Sequence, residues 1–380
     1  MAVMHNRKNY FKKIVKKILK LQSDVNKRLN YYRFKAKKEN AEKSVLFDFT
    51  VLSIRKLYQI ISQFLYCGYA CYFDLSFKQF NEVNALDYGR KIFKLKALYS
   101  LKKNKKSYSI VVSDSQSVLD KYNNVPLKIF INFKTCREIE NVRDIDLFYP
   151  IISHPLFSVP QIEQEILDCA SNTGRKIAVL FAGAVRKDYA KDITKKLFGF
   201  TRLEIFTYLE QSLPDNMLYL PVSLDDLLNK MENNELINKV VLINTEIFQI
   251  PPNLYFEILL KSDFFIHMPG ETHPYCHNQI ESMLAGCIPV TSYNYLFLPH
   301  FEHEKNSLLF NSFDELTSIL HDIIVNQTYH TLLPLLRKNI IRYYNNVYSF
   351  ESFKIKLLRL KEERIPFANY YINPMIQYLK

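Results

Sequence analysis

Hydrophobic and polar residues alternate along the chain in short blocks that predict strands and helices in turn. Apolar runs of about four to eight residues are typical of buried strands, whereas apolar residues about three or four apart indicate amphipathic helices. In the first half, this pattern predicts strands over 45–51, 69–75, 108–112, 127–133 and 148–152, a helix over 54–67, and mixed helical and irregular structure over 78–102. Strands that alternate with helices indicate a Rossmann-like α/β domain.

The second half repeats this alternation after a predicted connecting helix at 160–170 and a linker at 171–174. The predicted strands cover 177–181, 217–222, 239–244, 264–268, 288–291 and 307–310. The predicted helices cover 203–211, 224–232, 251–261, 276–285, 313–325, 328–346 and 350–361. The pattern divides the chain into a basic amphipathic N-terminal segment at 1–43, an N-terminal Rossmann-like domain at 44–170, a second α/β domain at 171–350 and a C-terminal helical segment at 351–380.

One stretch, 263–292, combines a predicted strand, a polar loop, a helix and a second strand. Ile280 and Leu284 fall at helical spacing, and Gly286 stands where a helix C-cap glycine belongs. Strand, helix and strand in so short a span predict one parallel crossover unit. Ligands of open α/β sheets bind at the carboxyl ends of the strands, beside helix N-termini. The loop 269–278 is therefore the predicted site.

Length and composition indicate a folded protein of two ordinary domains. The chain has 380 residues, of which 48% are hydrophobic, with 28 Phe and 26 Tyr to fill its cores. The net charge of +13 is uneven, because residues 1–43 carry 14 basic and three acidic side chains, or +11. The rest of the chain carries only +2. The basic character therefore belongs to the N-terminal segment.

Residues 6–40 are predicted to form a basic amphipathic helix. Its apolar positions, from Phe11 to Leu29, recur at helical spacing, and lysines occupy the other faces. Such a helix can pack its apolar stripe on the body of the protein, or attach to an anionic membrane surface, where each Lys or Arg contributes ~1 kcal/mol. Nucleic-acid binding is not expected, because no known nucleic-acid-binding motif accompanies the helix.

Cysteine usage and the lack of targeting signals predict a cytoplasmic protein. The six cysteines are scattered, with no Cys-x-x-Cys pair. No run approaches the ~18 apolar residues of a membrane span, and lysines interrupt the apolar pairs that a signal peptide would need. We therefore expect a reducing compartment, with peripheral attachment to the inner face of the membrane if the basic helix binds lipid.

Residues 280–290, IESMLAGCIPV, resemble the EAxAAGCIPV signature of GT-B glycosyltransferases, most closely the exostosin-like group and more distantly the glycogen-synthase-like retaining group. The resemblance covers roughly residues 174–350. It implies the GT-B fold, in which two Rossmann-like domains face each other across a cleft. It also implies that 44–170 holds the acceptor, that 171–350 binds a nucleotide-sugar donor, and that the segment 351–380 crosses back to the N-terminal domain.

The resemblance also implies which residues hold the donor. Glu281 would hydrogen-bond the ribose, and Gly183 would let the backbone approach the diphosphate. Arg186 and Lys187 suit the diphosphate, because the fork of an arginine binds phosphate oxygens in pairs. Alternatively, these two residues begin a solvent-exposed helix. The predicted donor site also includes Gly270, His273, His277 and Asn278 of the loop, and Asn294 beyond the next strand.

His273 marks a departure from the family pattern. Retaining enzymes often have two glutamates separated by seven residues, and counting back from Glu281 the first position holds His273, whereas Glu271 is out of register. This departure favours an inverting site. His273 then contacts the donor phosphate or sugar, or it is a loop histidine without a function.

No metal ion is expected. His273, Cys276 and His277 invite a zinc interpretation, but zinc needs three or four ligands, and no second Cys/His cluster has suitable spacing. The resemblance implies that helix dipoles and basic side chains stabilise the leaving diphosphate instead.

An inverting transferase needs a general base, because the acceptor hydroxyl is a poor nucleophile at neutral pH. The candidates are Asp114, at a predicted strand end, and His154, which precedes a proline at another strand end. Both residue types are also common in turns and caps, and the sequence does not choose between the two.

These observations predict a glycosyltransferase that moves a sugar from a nucleotide-diphosphate sugar, expected to be a UDP-sugar, to a glycan or lipid-linked glycan acceptor. The product would be a surface polysaccharide, such as a capsule or lipopolysaccharide. The donor is a substrate, so no cofactor is expected. The alternatives are a non-catalytic α/β protein that binds a nucleotide or glycan, and a basic nucleic-acid-associated protein.

Overall fold

A computed structural model describes most of the chain. The described residues are 23, 25–34, 43–49, 54–73, 75–85, 87–95, 98–100, 108–132, 146–149, 159–171, 174–190, 192–270, 276–294 and 297–371. No helix among them is both long enough and apolar enough to cross a bilayer.

Strands and helices alternate along the described chain. The strands are β1 (Ser44–Phe47), β2 (Ala70–Phe73), β3 (Leu98–Ser100), β4 (Ile110–Ser113), β5 (Leu127–Asn132), β6 (Leu147–Phe148), β7 (Ile177–Gly183), β8 (Leu218–Tyr219), β9 (Val240–Asn244), β10 (Ser262–Ile266), β11 (Ile288–Thr291), β12 (Leu308–Leu309) and β13 (Phe367–Tyr371). The helices are α1 (25–34), α2 (Ile54–Tyr66), α3 (Phe77–Ala85), α4 (Asp87–Lys94), α5 (Gln116–Leu119), α6 (Pro160–Ala170), α7 (Asp192–Phe198), α8 (Arg202–Ser212), α9 (Leu224–Glu232), α10 (Pro252–Leu260), α11 (His277–Leu284), α12 (Phe313–Ile324), α13 (Leu333–Val347) and α14 (Phe350–Glu362).

The chain divides into two compact units. One is Met1–Phe130 with Arg364–Phe367, and the other is Ile131–Glu363 with Ala368–Lys380. The four segments that the sequence predicts, with their donor and acceptor roles, stay predictions.

The first unit contains a parallel sheet in which β3, β2, β1, β4 and β5 lie side by side in that order. In the middle strand, Leu46 stands opposite Tyr72 on one side and Val111 on the other. All four residues of β1 are buried, as expected of a continuous apolar run in a parallel sheet covered on both faces. In the second unit, β13 pairs in parallel with β6.

The second unit contains a parallel sheet in the order β12, β11, β10, β7, β9, β8. β7 comes first along the chain and lies in the middle, with β8 and β9 on one side and β10, β11 and β12 on the other. The strand order therefore reverses between β7 and β10. In open α/β sheets a ligand crevice lies at such a point, beyond the carboxyl ends of the strands. The predicted α/β class with two Rossmann-like parallel sheets is confirmed.

The predicted strand–helix–strand crossover is also confirmed. β10 pairs in parallel with β11, with Phe264 opposite Ile288, and α11 connects them. Gly286 follows the helix with a φ of 73°, in the left-handed region that glycine enters without a steric penalty. A Cβ at this position would lie 2.8 Å from the carbonyl oxygen of Ala170 and 3.0 Å from Nη2 of Arg175. Close packing therefore adds to the conformational requirement for glycine.

Arg175 joins the C-terminal ends of three helices. Its guanidinium donates to the carbonyl oxygens of Ala170 (2.6 Å), Leu259 (3.2 Å) and Ala285 (2.8 Å), at the ends of α6, α10 and α11. A buried cation there satisfies carbonyl groups that have no partner within their own helix, and it opposes the negative ends of the helix dipoles. These bonds fix the C-terminal end of α11, while its N-terminus lies at the carboxyl edge of the sheet.

Several elements are shorter than the sequence predicts, and the differences are largest at β8 and α13. The strand predicted over 217–222 is only the two residues of β8, because Pro221 has no N–H group for a sheet ladder. The helix predicted over 328–346 begins later, at the first residue of α13. Gln327 has a φ of 53°, and Pro334 in the first turn favours a helix start there.

The predictions missed four short elements: β3, α5, α7 and β13. β3 lies within the mixed stretch 78–102, and α7 follows a 3₁₀-helix at Lys187–Ala190. β13 stands in the C-terminal segment that was predicted to be helical. Elements this short show too little periodicity to be recognised locally, and the strands depend on pairing with distant residues.

α1 is the described part of the predicted basic helix; the rest of that helix lies outside the described residues. Tyr31 and Phe34 pack their rings against Phe80, with centroids 5.4 Å and 5.7 Å apart. Three apolar side chains on the helix are exposed, namely Val25, Leu29 and Tyr32. The helix therefore packs one side on the unit and leaves an apolar strip uncovered.

Candidate functional site

The candidate site lies at the carboxyl edge of the second sheet, where β7 and β10 end and α11 begins. Gly183 ends β7, residues 267–270 follow β10, and His277 is the first residue of α11. The strand order reverses here. The described ends of the predicted loop, 269–270 and 276–278, lie at this edge, and 271–275 are outside the described residues. Helix N-termini carry partial positive charge, so the arrangement suits an anionic ligand.

Arg202 links these segments. Its guanidinium donates from Nη1 to the carbonyl oxygen of Ala184 (3.0 Å), from Nε to that of Pro269 (3.0 Å) and from Nη2 to Sγ of Cys276 (2.7 Å). Its central carbon lies 5.8 Å from the ring centroid of Phe181, within the range of a cation–π contact. The side chain is buried, so a positive charge stands inside the site, next to the start of α11.

The local sequence fixes where α8, and with it Arg202, begins. The hydroxyl of Thr201 accepts from the N–H of Glu204 (3.1 Å), and Oε2 of Glu204 accepts from the N–H of Thr201 (2.9 Å). This reciprocal capping box holds the helix start in one conformation. Sequence analysis missed Arg202. The Thr-x-x-Glu spacing signals a helix start, but no local pattern shows which carbonyl groups a side chain will reach.

Gly183 and Asn278, both predicted site residues, lie close together. Nδ2 of Asn278 donates to the carbonyl oxygen of Ala182 (3.0 Å). A Cβ at Gly183 would lie 3.4 Å from that Nδ2, 3.4 Å from Nη1 of Arg202 and 3.2 Å from the ring of Phe181. The contact with Phe181 would be tight and the other two would be near ordinary van der Waals distance, so a side chain larger than that of alanine would press on the polar groups of the site. The side chains packed around the strand end thus favour glycine at this position.

Glu281 is almost fully buried, with 1% of its surface exposed. Its helix packs against α6, α10 and α13. Burial, followed by the charge of Glu281, raises the pKa of Tyr255 well above its usual range. The pKa of Tyr344 is also raised well above its usual range, mainly by burial, then by the charge of Glu163 and more weakly by that of Glu281. The carboxylate therefore lies near both hydroxyl groups, and its bond to a ribose stays a prediction.

Other polar side chains of α11 have partners inside the protein. Nε2 of Gln279 donates to the hydroxyl of Tyr293 (2.6 Å), and its Oε1 accepts from the N–H of Cys276 (3.0 Å). The hydroxyl of Ser282 donates to the carbonyl oxygen of Gln279 (2.8 Å) and lies 3.3 Å from Nε2 of His267. Burial lowers the pKa of His267 to about 3, so its imidazole is neutral. These bonds hold a polar helix in a buried position.

Arg186 and Lys187 follow β7 and are exposed. Nε of Arg186 lies 3.7 Å from Oε1 of Glu246, and Lys187 is the first residue of the 3₁₀-helix. Oδ1 of Asn244, at the end of β9, accepts from the N–H of Val185 (3.0 Å) and so joins the two strand ends. Lys187 does begin a short exposed helix, as the alternative interpretation expects. The phosphate-binding role of both residues stays a prediction.

The remaining predicted donor residues are spread around the same edge. Gly270 is buried shortly after β10, and His277 is exposed at the start of α11. Asn294 lies beyond β11, and its Nδ2 donates to the carbonyl oxygen of Phe301 (3.2 Å), so it stabilises its own loop. His273 lies outside the described residues.

In the first unit, Asp114 directly follows β4 and is partly buried. Asp48 follows the neighbouring strand β1, and its Oδ2 accepts from the hydroxyl of Tyr122 (2.8 Å). The two carboxylates thus stand at the carboxyl ends of adjacent strands, and sequence analysis found only the first. His154, the other candidate base, lies outside the described residues.

Within the described ranges, no group of three or more His, Cys, Asp or Glu side chains could hold a metal ion. The chain does contain an Asp-x-Asp triplet, at 144–146, which is the form of a metal–diphosphate motif. Its last residue, Asp146, is buried and accepts from the N–H of Asn369 (3.0 Å) in β13. That aspartate therefore has a structural partner.

No protein-family model matches this sequence, and no curated protein matches it either. Comparison with solved structures finds distant likenesses to glycosyltransferases. One is a glycosyltransferase from Rickettsia africae, at 11% identity, covering 86% of this chain and 99% of that one, with a TM-score of 0.48. Another is Anabaena Alr3699/HepE in complex with UDP and glucose, at 9% identity, covering 84% of this chain and 99% of that one, with a TM-score of 0.43. A third is AviGT4, a glycosyltransferase involved in avilamycin A biosynthesis, at 9% identity, covering 84% of this chain and 97% of that one, with a TM-score of 0.40. All three TM-scores are below 0.5, too low to transfer an activity to this chain.

Proposed function

We propose that the protein is a glycosyltransferase with the GT-B fold, which transfers a sugar from a nucleotide-diphosphate sugar, most simply a UDP-sugar, to a hydroxyl group of a glycan. The observation that carries this proposal is the position of Arg202 and of the α11 N-terminus, at the point where the strand order of the second sheet reverses. The motif IESMLAGCIPV, which spans the second half of α11 and the start of β11, supports the same assignment and its exostosin-like character.

In the proposed reaction, an acceptor oxygen bonds to the anomeric carbon of the donor sugar while the bond from that carbon to the diphosphate oxygen breaks. The acceptor proton passes to a general base, for which Asp114 and His154 remain the candidates. Negative charge develops on the leaving diphosphate. The positive end of α11 and the buried guanidinium of Arg202 can stabilise that charge, because dipoles and cations act more strongly in a site that excludes water. No metal ion enters the proposal.

We place the diphosphate beside Gly183, Arg186 and the first turn of α11, and the ribose against Glu281. A carboxylate accepts hydrogen bonds from two ribose hydroxyls, which fits this part of the ligand. Because Glu281 is 1% exposed, a ribose reaches it only when neighbouring side chains shift. We therefore expect nucleotide binding to be accompanied by a local rearrangement around α11.

We also propose that the acceptor is a lipid-linked glycan of a surface polysaccharide, and that the protein works at the inner face of the cytoplasmic membrane. The support is the charge of +11 on residues 1–43 and the apolar strip of α1, which consists of Val25, Leu29 and Tyr32 and lies beside the exposed Arg33. An apolar strip with flanking cations complements an anionic lipid surface.

The test is calorimetric titration of the full chain with UDP, GDP, ADP and CMP. We expect one nucleotide to bind selectively, and Glu281→Ala to weaken that binding. Gly183→Val is expected to weaken it at least about tenfold, because the new side chain enters the contacts around Asn278 and Arg202. Gly174→Val is the matched control, since Gly174 is exposed and a Cβ there meets nothing within 4 Å.

Failure of the folded wild-type chain to bind any of the four nucleotides would overturn the proposal. Turnover is then measured as acceptor-dependent release of the selected nucleotide from its sugar donor. Selective binding without any transfer or donor hydrolysis would support the non-catalytic alternative instead.

A further inference from the structure

Several buried polar side-chain atoms around α11 have no hydrogen-bond partner among the described residues, and two of them belong to Asn278 and Tyr255. One is Oδ1 of Asn278, in the first turn of the helix, and the other is the hydroxyl of Tyr255, on the adjacent α10. Buried polar groups are satisfied in the great majority of cases, so each exception calls for an explanation such as an absent ligand. Asn278 lies at the candidate site and Tyr255 lies on the helix that packs against α11, which makes a ligand the natural explanation here.

The free atom of Asn278 limits what that ligand can be. The side chain is 6% exposed, and its Nδ2 donates to the carbonyl oxygen of Ala182 (3.0 Å). This bond fixes the orientation of the amide, because a reversed amide would set two oxygens against each other. The atom without a partner, Oδ1 of Asn278, is therefore an acceptor, and it needs a hydroxyl or N–H donor. An ionised phosphate cannot supply one.

Tyr255 offers a complementary group. α10 packs on α11, and the charges that act on the Tyr255 hydroxyl include those of Glu281, Cys276 and Arg202, all at the site. Burial is the main cause that raises the pKa of this phenol, so it keeps its proton at neutral pH. It can thus donate one hydrogen bond and accept another.

We propose that Tyr255 and Asn278 bind a sugar hydroxyl group of the nucleotide-sugar, and that Tyr255 helps to set the affinity for it. The inference rests on the proposed function, because that function supplies a ligand with hydroxyl groups next to an anionic diphosphate. Asn278 and Glu281 are three residues apart on α11, so they share one side of the helix. The amide oxygen of Asn278 and the carboxylate of Glu281 on that side, with the phenol of Tyr255 on the adjacent α10, complement hydroxyl groups.

The decisive variant is Tyr255→Phe, which removes the hydroxyl alone. A hydroxyl with no partner inside the protein adds nothing to folding, so we expect an unchanged or raised melting temperature. We also expect about fivefold to tenfold weaker binding of the nucleotide, of the nucleotide-sugar, or of both. Tyr208→Phe is the matched control. The Tyr208 hydroxyl lies 3.0 Å from that of Thr317, so its loss should lower the melting temperature and leave nucleotide affinity unchanged.

The hydroxyl group can belong to the ribose or to the transferred sugar. Three probes, UDP, 2′-deoxy-UDP and UDP-glucose, distinguish the two. Weaker binding of UDP by Tyr255→Phe, with no effect on 2′-deoxy-UDP, assigns the contact to the ribose. Unchanged UDP binding with weaker UDP-glucose binding assigns it to the transferred sugar. Either result supports the proposal.

Wild-type affinity of Tyr255→Phe for every probe would overturn the inference while the proposed function stands. A parallel loss of melting temperature and affinity would also overturn it, because the hydroxyl would then have a structural partner. Where the wild-type chain selects another nucleotide, the corresponding probes of that nucleotide are used instead. If the folded wild-type chain binds none of UDP, GDP, ADP and CMP, both the inference and the proposed function fail.

Discussion

The hydroxyl of Tyr344 donates to Oε1 of Glu163 over 2.7 Å, and both side chains are buried. Oε2 of the same carboxylate accepts from the N–H of Phe350 (3.1 Å), the first residue of α14. Glu163 thus connects α6 to α13 and to the start of α14. Burial is the dominant influence on this carboxyl group and raises its pKa to about 7, although the two hydrogen bonds act in the opposite direction.

Glu163 should make the protein less stable as the pH rises towards neutrality. Its pKa is about 7 in the folded chain and near 4.5 when unfolded, so the folded state holds the proton more tightly. The contribution is fully present below about pH 4.5 and is lost as the pH rises through 7, by roughly 3 kcal/mol. Glu163→Gln should remove this slope in urea denaturation measured from pH 4 to 8. Parallel stability curves for variant and wild type would contradict the prediction.

His267 should produce the opposite slope at lower pH. Its pKa is about 3 in the folded chain against 6.5 for the free side chain, so the unfolded state binds the proton more tightly. Its contribution is present above pH 6.5 and is lost as the pH falls towards 3, on the order of 5 kcal/mol in total. His267→Gln, followed by acid titration of the unfolding free energy, should flatten that decline. If the variant loses stability at acid pH as steeply as the wild type, His267 is not the cause of the decline.

The two slopes oppose each other between about pH 4.5 and 6.5. In that pH range, the stability of Glu163→Gln is therefore expected to fall with decreasing pH, because of His267. The stability of His267→Gln is expected to fall with increasing pH, because of Glu163. This comparison needs no ligand, so it tests the electrostatics of the second unit separately from its function.

Gly286→Ala should destabilise the protein by about 3 kcal/mol, because a left-handed backbone and a crowded Cβ both oppose it. The new methyl group would meet the carbonyl oxygen of Ala170 at 2.8 Å. Gly199→Ala is a matched control with a φ of 80° and nothing within 4 Å of the added Cβ, so it should cost only about 1 kcal/mol. Equal losses in chemical denaturation would show that packing around Ala170 contributes nothing.

Arg202→Lys should weaken nucleotide binding about tenfold and lower stability by roughly 2 kcal/mol, because an ammonium group cannot span three acceptors as a guanidinium does. Arg359→Lys, at an exposed ion pair with Glu363, serves as the control and should change neither quantity. Calorimetry and urea denaturation measure the two effects. Wild-type nucleotide affinity of Arg202→Lys would show that Arg202 does not contribute to the binding site.

Leu29→Asp should reduce sedimentation of the full chain with vesicles of phosphatidylcholine and phosphatidylglycerol, because it places a negative charge in the apolar strip of α1. Val325→Asp is the control, since Val325 is also exposed but follows α12 and is not part of the strip. Binding of wild type to pure phosphatidylcholine as strongly as to the anionic vesicles would contradict the electrostatic part of the proposal.

Helices and strands that are marked by nearby residues, such as a cap, a proline or an apolar run, could be predicted from the sequence. α6 and α9 have the predicted bounds, because Pro160 favours a helix start and Ser223 caps the next helix by accepting from the N–H of Asp226. β11 is also as predicted, since an apolar run after a left-handed Gly286 leaves little alternative. The sequence also predicted that Gly183 and Asn278 belong to one site. They lie close together because the carboxyl ends of parallel strands and the N-termini of the following helices meet at one edge of the sheet.

Which atoms meet at that edge depends on contacts between segments that are distant in sequence. Arg202 is 67 residues from Pro269 and 74 from Cys276 in sequence, and no periodicity shows that its guanidinium joins them. Tyr255 appears locally as one aromatic residue of an apolar helix, and its unsatisfied hydroxyl is visible only once α10 packs on α11. Periodicity and caps depend on residues within one or two turns, whereas a binding site depends on contacts between segments that folding brings together.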